Sequence, residues 1–173
     1  MVLPIYFLLW RINMYNNSSF IGSIGEAVAI AEFTKRGIPV SKPITDNLPY
    51  DLIIDVNNIL YKVQCKTTKN VRNGMMQFHI DRTNGFTGDH STYDINEIDY
   101  YFLYCIENCY CGLISLKEVY GQKCVNIRLI KPLNNQFNSV RFYTTYSIDN
   151  QLPLLQNIKI HPFYLFFVTI KTR

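Results

Sequence analysis

The first clear hydrophobic period along the chain predicts a helix over residues 21–36. Gly37 stands directly after this segment, where a glycine commonly ends a helix in a left-handed conformation. Ser18 or Ser19 is the predicted N-cap, because a side-chain oxygen there accepts hydrogen bonds from the free N–H groups of the first turn. The pattern therefore indicates one early amphipathic helix.

One residue of this helix breaks its polarity. At 100° per residue, Glu32 and Arg36 lie together on the polar side, whereas Glu26 falls within about 40° of Ile30 and Phe33. A carboxylate among apolar side chains is costly unless a partner compensates its charge. The pattern thus marks Glu26 as a residue whose position needs an explanation.

Two alternating runs, over residues 51–56 and 59–66, predict a β-hairpin with the two asparagines between them as its turn. With a two-residue loop, Asp51 is expected to face Gln64, and Lys66 lies two residues further along the same face. The opposite face is continuously apolar. We therefore expect one face of the hairpin to be core and the other to be polar.

The remaining chain has a less regular pattern. Residues 67–97 are polar and rich in Gly, Asn and Asp, which predicts a long loop with one short element around 75–80. A second hairpin is expected with its turn near Glu107 and Asn108, and the tail from Leu152 has no strong period. Further strands or extended segments are predicted over residues 38–40, 100–106, 111–116, 125–129 and 139–146. One helix on a mixed sheet indicates an α+β or α/β fold.

Composition narrows the class of protein. The chain has 173 residues, which fits one domain, and 48% of them are hydrophobic against 17% charged, which excludes a disordered chain. Seventeen Lys and Arg against thirteen Asp and Glu give a net charge of +4. This mild basic balance is compatible with binding to nucleic acid and does not prove it.

The ends of the chain are apolar, over residues 1–10 and 163–168. Both runs are much shorter than the roughly 20 residues that cross a bilayer, and the first lacks the features of a signal peptide. We expect no membrane partner and no secretion, with the five cysteines as thiols in a reducing cytoplasm or organellar matrix. The predicted organisation is an apolar or poorly ordered extension (1–18), one domain (19–150) and a tail that offers an oligomer contact (151–173).

Asp51, Gln64 and Lys66, together with Glu26 on the preceding helix, form the sharpest candidate site. Hydrolysis of a phosphodiester requires a divalent cation, oxygen ligands and stabilisation of a pentacovalent transition state. A carboxylate opposite an amide oxygen supplies two ligands, and a lysine on the same face can orient water or stabilise charge. The same alternation occurs on the solvent-exposed face of an ordinary hairpin. The pattern by itself therefore leaves open whether these residues form a catalytic site or only a polar surface.

The residues around this site resemble a known signature. Pro49-Tyr50-Asp51, followed after 12 residues by Gln64-Cys65-Lys66, resembles the PD-(D/E)XK nuclease motif, and Gly25-Glu26 matches the helix acid of that superfamily. Over residues 20–70, including PYDLIIDV and LYKVQCKTTK, the chain is similar to the group I intron-associated homing endonuclease branch. The similarity continues more weakly through the aromatic hairpin and residues 125–146.

This resemblance implies a restriction-endonuclease-like α/β fold over residues 19–150, with a mixed central β-sheet flanked by helices. It further implies a Mg²⁺-dependent, site-specific double-strand DNA endonuclease of homing type, with Mn²⁺ able to substitute. Because each chain would carry one site and two strands must be cut, we expect a homo-oligomer, either a dimer or a dimer of dimers.

The resemblance also implies roles for individual residues. Asp51, Gln64 and the Cys65 carbonyl would hold the metal, Lys66 would position or activate the water, and Glu26 would hold the metal directly or through water. Gln64 departs from the pattern, since most of the superfamily has an acid there; its amide oxygen can bind Mg²⁺ but adds no negative charge. Glu26 is then the compensating acid.

Contacts to DNA are expected from basic and polar residues near the hairpin. Residues predicted to contact DNA, chiefly by neutralising its phosphates, are Lys42, Lys62, Thr67, Lys69, Arg72 and Arg82. The long loop also offers side chains able to bond base edges, namely Arg72, Asn73, Gln77, Arg82 and Asn84. Any exposed loop carries such residues, so their role stays open from sequence.

Other functions remain open beside this one. A restriction or Holliday-junction-resolving nuclease would share the site and differ in substrate, and a catalytically decayed DNA-binding relative would carry Gln64 as the mark of decay. Cys105, Cys109 and Cys111 suggest part of a zinc site, but no second pair accompanies them and strand packing is favoured. The scattered histidines, expected at the surface or in loops, are His79, His90 and His161.

Overall fold

A computed structural model of the chain describes residues 17–45, 47–83, 87–130 and 140–157. Residues 1–16, Asn84, His161 and the tail beyond residue 157 lie outside these ranges. The helices are α1 (Ser18–Lys35), α2 (Leu116–Val119), α3 (Tyr143–Tyr146) and α4 (Ile148–Gln156). The strands are β1 (Val40–Ser41), β2 (Leu52–Val56), β3 (Ile59–Thr68), β4 (Met75–His79), β5 (Arg82–Thr83), β6 (His90–Ser91), β7 (Tyr100–Cys105), β8 (Tyr110–Ser115), β9 (Cys124–Arg128) and β10 (Arg141–Phe142).

The central element is a five-stranded sheet in the order β1-β2-β3-β7-β8. Strands β3 and β7 run parallel, whereas the other neighbours are antiparallel, so the predicted mixed sheet is confirmed. The chain between β3 and β7 leaves this sheet and forms β4, the first member of a three-stranded sheet in the order β10-β9-β4. The small β5–β6 hairpin in the same connection was not predicted.

The hairpin of β2 and β3 forms as predicted. Asn57 and Asn58 occupy its turn with φ of 56° and 62°, the left-handed values that a two-residue hairpin turn requires and that asparagine tolerates. The ladder runs from Leu52 opposite Val63 to Val56 opposite Ile59. This register directs the apolar alternation of both strands to one face of the sheet.

Helix α1 begins three residues earlier than predicted, and its N-cap is Asn17 rather than Ser18 or Ser19. The Asn17 carbonyl oxygen accepts the N–H groups of Ser19 (2.9 Å) and Phe20 (3.4 Å). The end is as predicted: Gly37 has φ of 72° and donates to Thr34, while the next N–H reaches back to the carbonyl of Phe33. The cap differs because any of three consecutive polar residues can serve, and local pattern does not choose among them.

The sheet is covered on both faces. Helices α1 and α4 cover one face, where the rings of Phe33 and Phe102 pack with centroids 5.6 Å apart. The other face carries a second core, in which Tyr101 and Leu103 of β7 meet Phe78 of β4. The hairpin face predicted to be simply polar is therefore continuous with a buried apolar surface, because the neighbouring strands β7 and β8 are hydrophobic on both sides.

The C-terminal part of the described chain departs from the prediction. Only Arg141–Phe142 of the segment predicted as extended is a strand, and two helices follow, α3 and α4. The predicted start of a tail at residue 151 falls inside α4, whose Leu152 and Leu155 are buried in the core. With only nine residues and a proline at position 153, α4 is too short to show a clear period. None of the helices in the described ranges is long and apolar enough to span a membrane.

Candidate active site

The candidate site lies at the fork where β2 begins and β3 continues past it. The ladder between the two strands starts at Leu52, so Asp51 does not pair directly with Gln64 as predicted. Instead, the Asp51 N–H donates to the Val63 carbonyl (3.0 Å), and its Oδ2 accepts the N–H of Cys65 (2.7 Å). This carboxylate therefore caps the open side of β3 and is fixed beside the backbone of the Gln64-Cys65-Lys66 segment.

The negative charge of Asp51 is only partly compensated by the positive charges near it. Burial raises the pKa of Asp51 above its ordinary value, and the charge of Glu26 raises it further. The hydrogen bond from Cys65 and the charges of Lys66 and Lys42 act in the opposite direction without cancelling the rise. A cation placed at this carboxylate would relieve both the desolvation and the repulsion.

Glu26 approaches the same place from α1. Its side chain is 24% exposed, and Oε2 accepts a hydrogen bond from Lys42 Nζ at 2.7 Å. The two residues border a cavity of about 240 Å³ together with Asp51. The unusual carboxylate on the apolar side of the helix is thus explained: it faces the fork of the hairpin, and Lys42 compensates its charge.

Lys66 lies further along β3, inside a small polar and aromatic enclosure. Its Nζ donates to the Asp81 carbonyl (2.7 Å) and lies 5.2 Å from the centroid of the Tyr93 ring. Burial lowers the pKa of Lys66, and the charge of Arg82 adds to this; the charges of Asp51 and Asp81 oppose it. The ammonium group is therefore held in place by neutral partners while its neutral form is easier to reach than in water.

Two of these partners, Asp81 and Tyr93, are functional neighbours that the sequence prediction missed. Both fall in the segment predicted as a long loop, and nothing in the local pattern distinguishes them from other polar or aromatic loop residues. Tyr93 is buried, and its ring also lies 4.7 Å from the guanidinium of Arg82, whose charge Glu97 pairs at 2.9 Å. Arg82, predicted to bind DNA, is thereby held beside Lys66.

The oxygen donors fit a hard divalent cation. Asp51 Oδ1 and the Gln64 amide form no hydrogen bond with any residue in the described ranges, and Glu26 faces Asp51 across the same cavity. Carboxylate, amide and backbone carbonyl oxygens are the ligands that Mg²⁺ and Mn²⁺ take in proteins. The residues that could hold such an ion are therefore Asp51, Gln64, Glu26 and the Cys65 carbonyl.

The cysteines do not form a metal site. Within the described part of the chain, no three His, Cys, Asp or Glu side chains are placed to hold a metal ion. Cys105 is buried in the core, the thiol of Cys109 lies 3.9 Å from the Ile106 carbonyl oxygen, and the thiol of Cys111 lies 3.7 Å from the Cys109 carbonyl oxygen. Strand and turn packing accounts for these residues, and the zinc alternative is wrong for the region that is described.

A long groove of about 650 Å³ runs from Lys66 along the end of β3. Lys69 and Arg72, two of the residues predicted to contact DNA, are exposed and line it. Lys62 lies elsewhere, with its Nζ on the Asn96 carbonyl at 3.1 Å. Thr67 also lines this groove, but its hydroxyl is buried against α1 and has no hydrogen-bond partner in the described ranges.

The two glycines at the start of α1 have different surroundings. A methyl group on Gly25 would overlap the buried hydroxyl of Thr67, whereas a methyl group on Gly22 would meet nothing within 4 Å. Gly25 is therefore required for the contact between α1 and β3, which places Glu26 at the fork. Gly22 lines the groove and leaves it open.

A mixed sheet whose central hairpin presents an aspartate and a lysine, with an acid supplied by the preceding helix, offers the groups that hydrolysis of a phosphodiester with a divalent cation would use. The profile of the PD-(D/E)XK endonuclease family matches residues 16–149, and the chain belongs to this family. The fold is similar to that of a bacterial homing endonuclease, I-Ssp6803I, with a TM-score of 0.61 and 23% sequence identity over 81% of this chain and 91% of that one. No curated protein sequence matches the chain.

Proposed function

We propose that this protein is a Mg²⁺-dependent, site-specific endonuclease that cuts double-stranded DNA in the manner of homing enzymes. The observation that carries the proposal is the position of Asp51: its carboxylate is fixed on the Cys65 amide, beside Lys66 and across one cavity from Glu26. Membership in an endonuclease family and the similarity in fold to a homing endonuclease support it.

The metal would be held by Asp51, Gln64 and the Cys65 carbonyl, with Glu26 as the second carboxylate. When bound, a divalent cation supplies positive charge for the pentacovalent phosphate and lowers the pKa of a ligated water. Asp51 contributes negative charge that burial and Glu26 have left uncompensated. Mn²⁺ prefers the same oxygen donors and is expected to substitute.

Lys66 would orient the attacking water or stabilise the charge that develops on the phosphate. The Asp81 carbonyl and the Tyr93 ring fix its ammonium group, so the side chain is ordered before substrate binds. Its lowered pKa increases the share of neutral amine at a given pH, which suits a group that accepts a proton from water. Lys69 and Arg72 would hold phosphates of the same strand in the groove.

Cleavage of both strands calls for two copies of the site. The described residues of one chain form a single constellation of this kind, and two strands of opposite polarity are met symmetrically by two subunits. We therefore propose a homo-oligomer. Plasmid cleavage reports this directly, because a pair of sites that act together yields linear product without accumulation of nicked circles.

The test of the proposed function is plasmid cleavage with purified protein, with and without Mg²⁺, compared with Asp51→Asn. Asparagine can keep the hydrogen bond to Cys65 but lacks the charge, so we expect cleavage to fall by about a thousandfold with the fold retained. Cleavage that is equal in the two proteins would contradict the proposal. A linear plasmid, a four-way junction and a library of genomic sites separate the homing type from restriction and junction-resolving nucleases.

Gln64 favours one second candidate, a decayed relative that binds DNA without cutting it. We predict that Gln64→Glu lowers the Mg²⁺ concentration for half-maximal cleavage by about tenfold, because a third carboxylate joins Asp51 and Glu26. Without metal the same change should lower the melting temperature, because the added charge is repelled. Gln156→Glu, an exposed amide on α4, is the matched control. Cleavage that appears only in Gln64→Glu would establish the decayed candidate; an unchanged metal requirement would show that Gln64 is not a ligand.

A further inference from the structure

The three-stranded sheet beside the groove has one buried and one exposed face. Side chains of β4 and β9 alternate strictly, and Gln77 and Asn126 are exposed on the outer face. They are direct cross-strand partners, which places their Cβ atoms roughly 5 Å apart. The inward residues of the two strands are fully buried in the core and are Met76, Phe78, Val125 and Ile127.

The side-chain amides of Gln77 and Asn126 point outward and have no hydrogen-bond partner in the described ranges. On the same face, His79 lies opposite Cys124, with Nδ1 and Sγ 3.3 Å apart, so these two side chains satisfy each other. The pair of amides therefore presents donors and acceptors that only a partner or water can meet.

The charge of this face suits a polyanion. Strands β4, β9 and β10 contain no acidic residue, while Arg128 and Arg141 carry positive charge at its edge. Arg141 is held by Glu118 at 3.3 Å, and Arg128 has no ion-pair partner in the described part of the chain. Glu118 lies on α2, outside the three strands.

The β4 side of this face borders the candidate active site. Gln77 and His79 line the same groove of about 650 Å³ that contains Lys66. Lys69 and Arg72 lie between, on the loop that leaves β3. A DNA backbone bound in the groove would therefore present the edges of its bases to β4 and β9.

We infer that the outer face of the β4–β9 ribbon reads bases in the major groove of DNA, with Gln77 and Asn126 as specificity-determining residues. This inference rests on the proposed function and adds how the protein recognises its DNA target sequence. The major groove, about 12 Å wide, admits a two-stranded ribbon, and Gln and Asn are the side chains that bond adenine N6 and N7 in pairs. Strand β4 has five residues, each of which rises roughly 3.3 Å, so the strand is as long as about five base pairs of DNA.

The experiment selects bound duplexes from a randomised DNA library with Asp51→Asn protein, without Mg²⁺, and repeats the selection with Gln77→Ala and Asn126→Ala added. We expect the parent to enrich a motif and the amide variants to lose preference at one or two neighbouring positions by roughly 10- to 100-fold, the discrimination of bidentate amide contacts. Binding to a random duplex should change by less than about twofold, because phosphate contacts supply it. Gln156→Ala, on the opposite layer, should leave the motif unchanged.

A motif that is unaltered by both amide substitutions, or a parent that enriches no motif, would overturn the inference. Loss of all DNA binding in the variants, with an unchanged melting temperature, would also overturn the inference. It would show that the ribbon binds the DNA backbone and does not read bases. The selection requires no cleavage. A failure of the proposed function therefore appears separately, as intact motif selection by a protein that cuts no plasmid.

Discussion

Lys66→Ala is expected to lower the rate of DNA cleavage by about a thousandfold while DNA affinity and melting temperature stay nearly constant. The ammonium group is fixed on β3 beside Asp51, and groups that orient water or stabilise transition-state charge contribute effects of this size. Stability should change little, because burial already disfavours the charged lysine and its hydrogen-bond partner, the Asp81 carbonyl, can bind water instead. Single-turnover cleavage, salt-dependent binding and thermal melting measure the three quantities.

The matched control for this experiment is Lys35→Ala. Lys35 is 67% exposed at the C-terminal end of α1, and in the described ranges its ion pair is with Glu32 of its own helix. Removing it lowers the net charge equally, so any effect of net charge on DNA affinity appears in both variants. If Lys66→Ala cleaves as fast as Lys35→Ala does, Lys66 has no role in the reaction.

Gly25→Ala is expected to lower the free energy of unfolding by about 2 kcal/mol, the cost of overpacking a tight contact. The added methyl group would overlap the Thr67 hydroxyl, and Thr67 Cβ stands only 3.3 Å from its position. Because α1 would have to move away from β3, Glu26 would leave the fork, and we expect cleavage to fall with stability. Urea unfolding measures the change.

Gly22→Ala is the control that separates the effect of the Gly25–Thr67 contact from the higher helical propensity of alanine. Both glycines lie inside α1, so each gains roughly 0.5–1 kcal/mol from the substitution, but a methyl group on Gly22 meets nothing. Gly22→Ala should therefore stabilise the protein. Thr67→Ala, which removes the overlapping hydroxyl, should recover most of the loss in Gly25→Ala. Equal effects of the two glycine substitutions would show that the overlap is absent.

Local patterns predicted the elements that carry the site, for reasons that act within a few residues. The hairpin of β2 and β3 follows from two asparagines between alternating strands, and the end of α1 follows from Gly37. Glu26 is recognisable because its position on the helix contradicts the period. These signals are strong because backbone dihedrals and side-chain periodicity are properties of the chain itself.

Where local signals compete or are short, prediction failed. Asn17, Ser18 and Ser19 are all competent caps, and the structure uses the first. Helices α3 and α4 are too short to display a period, and α4 is stabilised because Ile148, Leu152 and Leu155 complete the core beneath α1. Thr67 follows Val63 and Cys65 on the core face of β3, and α1 packs on it through Gly25.

The sequence by itself determined the hairpin, the helix that precedes it and the identity of the residues with the chemistry of a nuclease: Asp51, Lys66, Gln64 and Glu26. Only the tertiary structure decided how these groups are held. It pairs Asp51 with the Cys65 amide, neutralises Glu26 with Lys42 and encloses Lys66 between the Asp81 carbonyl and Tyr93. The pKa values of Asp51 and Lys66, and these hydrogen bonds, depend on burial and on segments distant in the chain, which local periodicity does not encode.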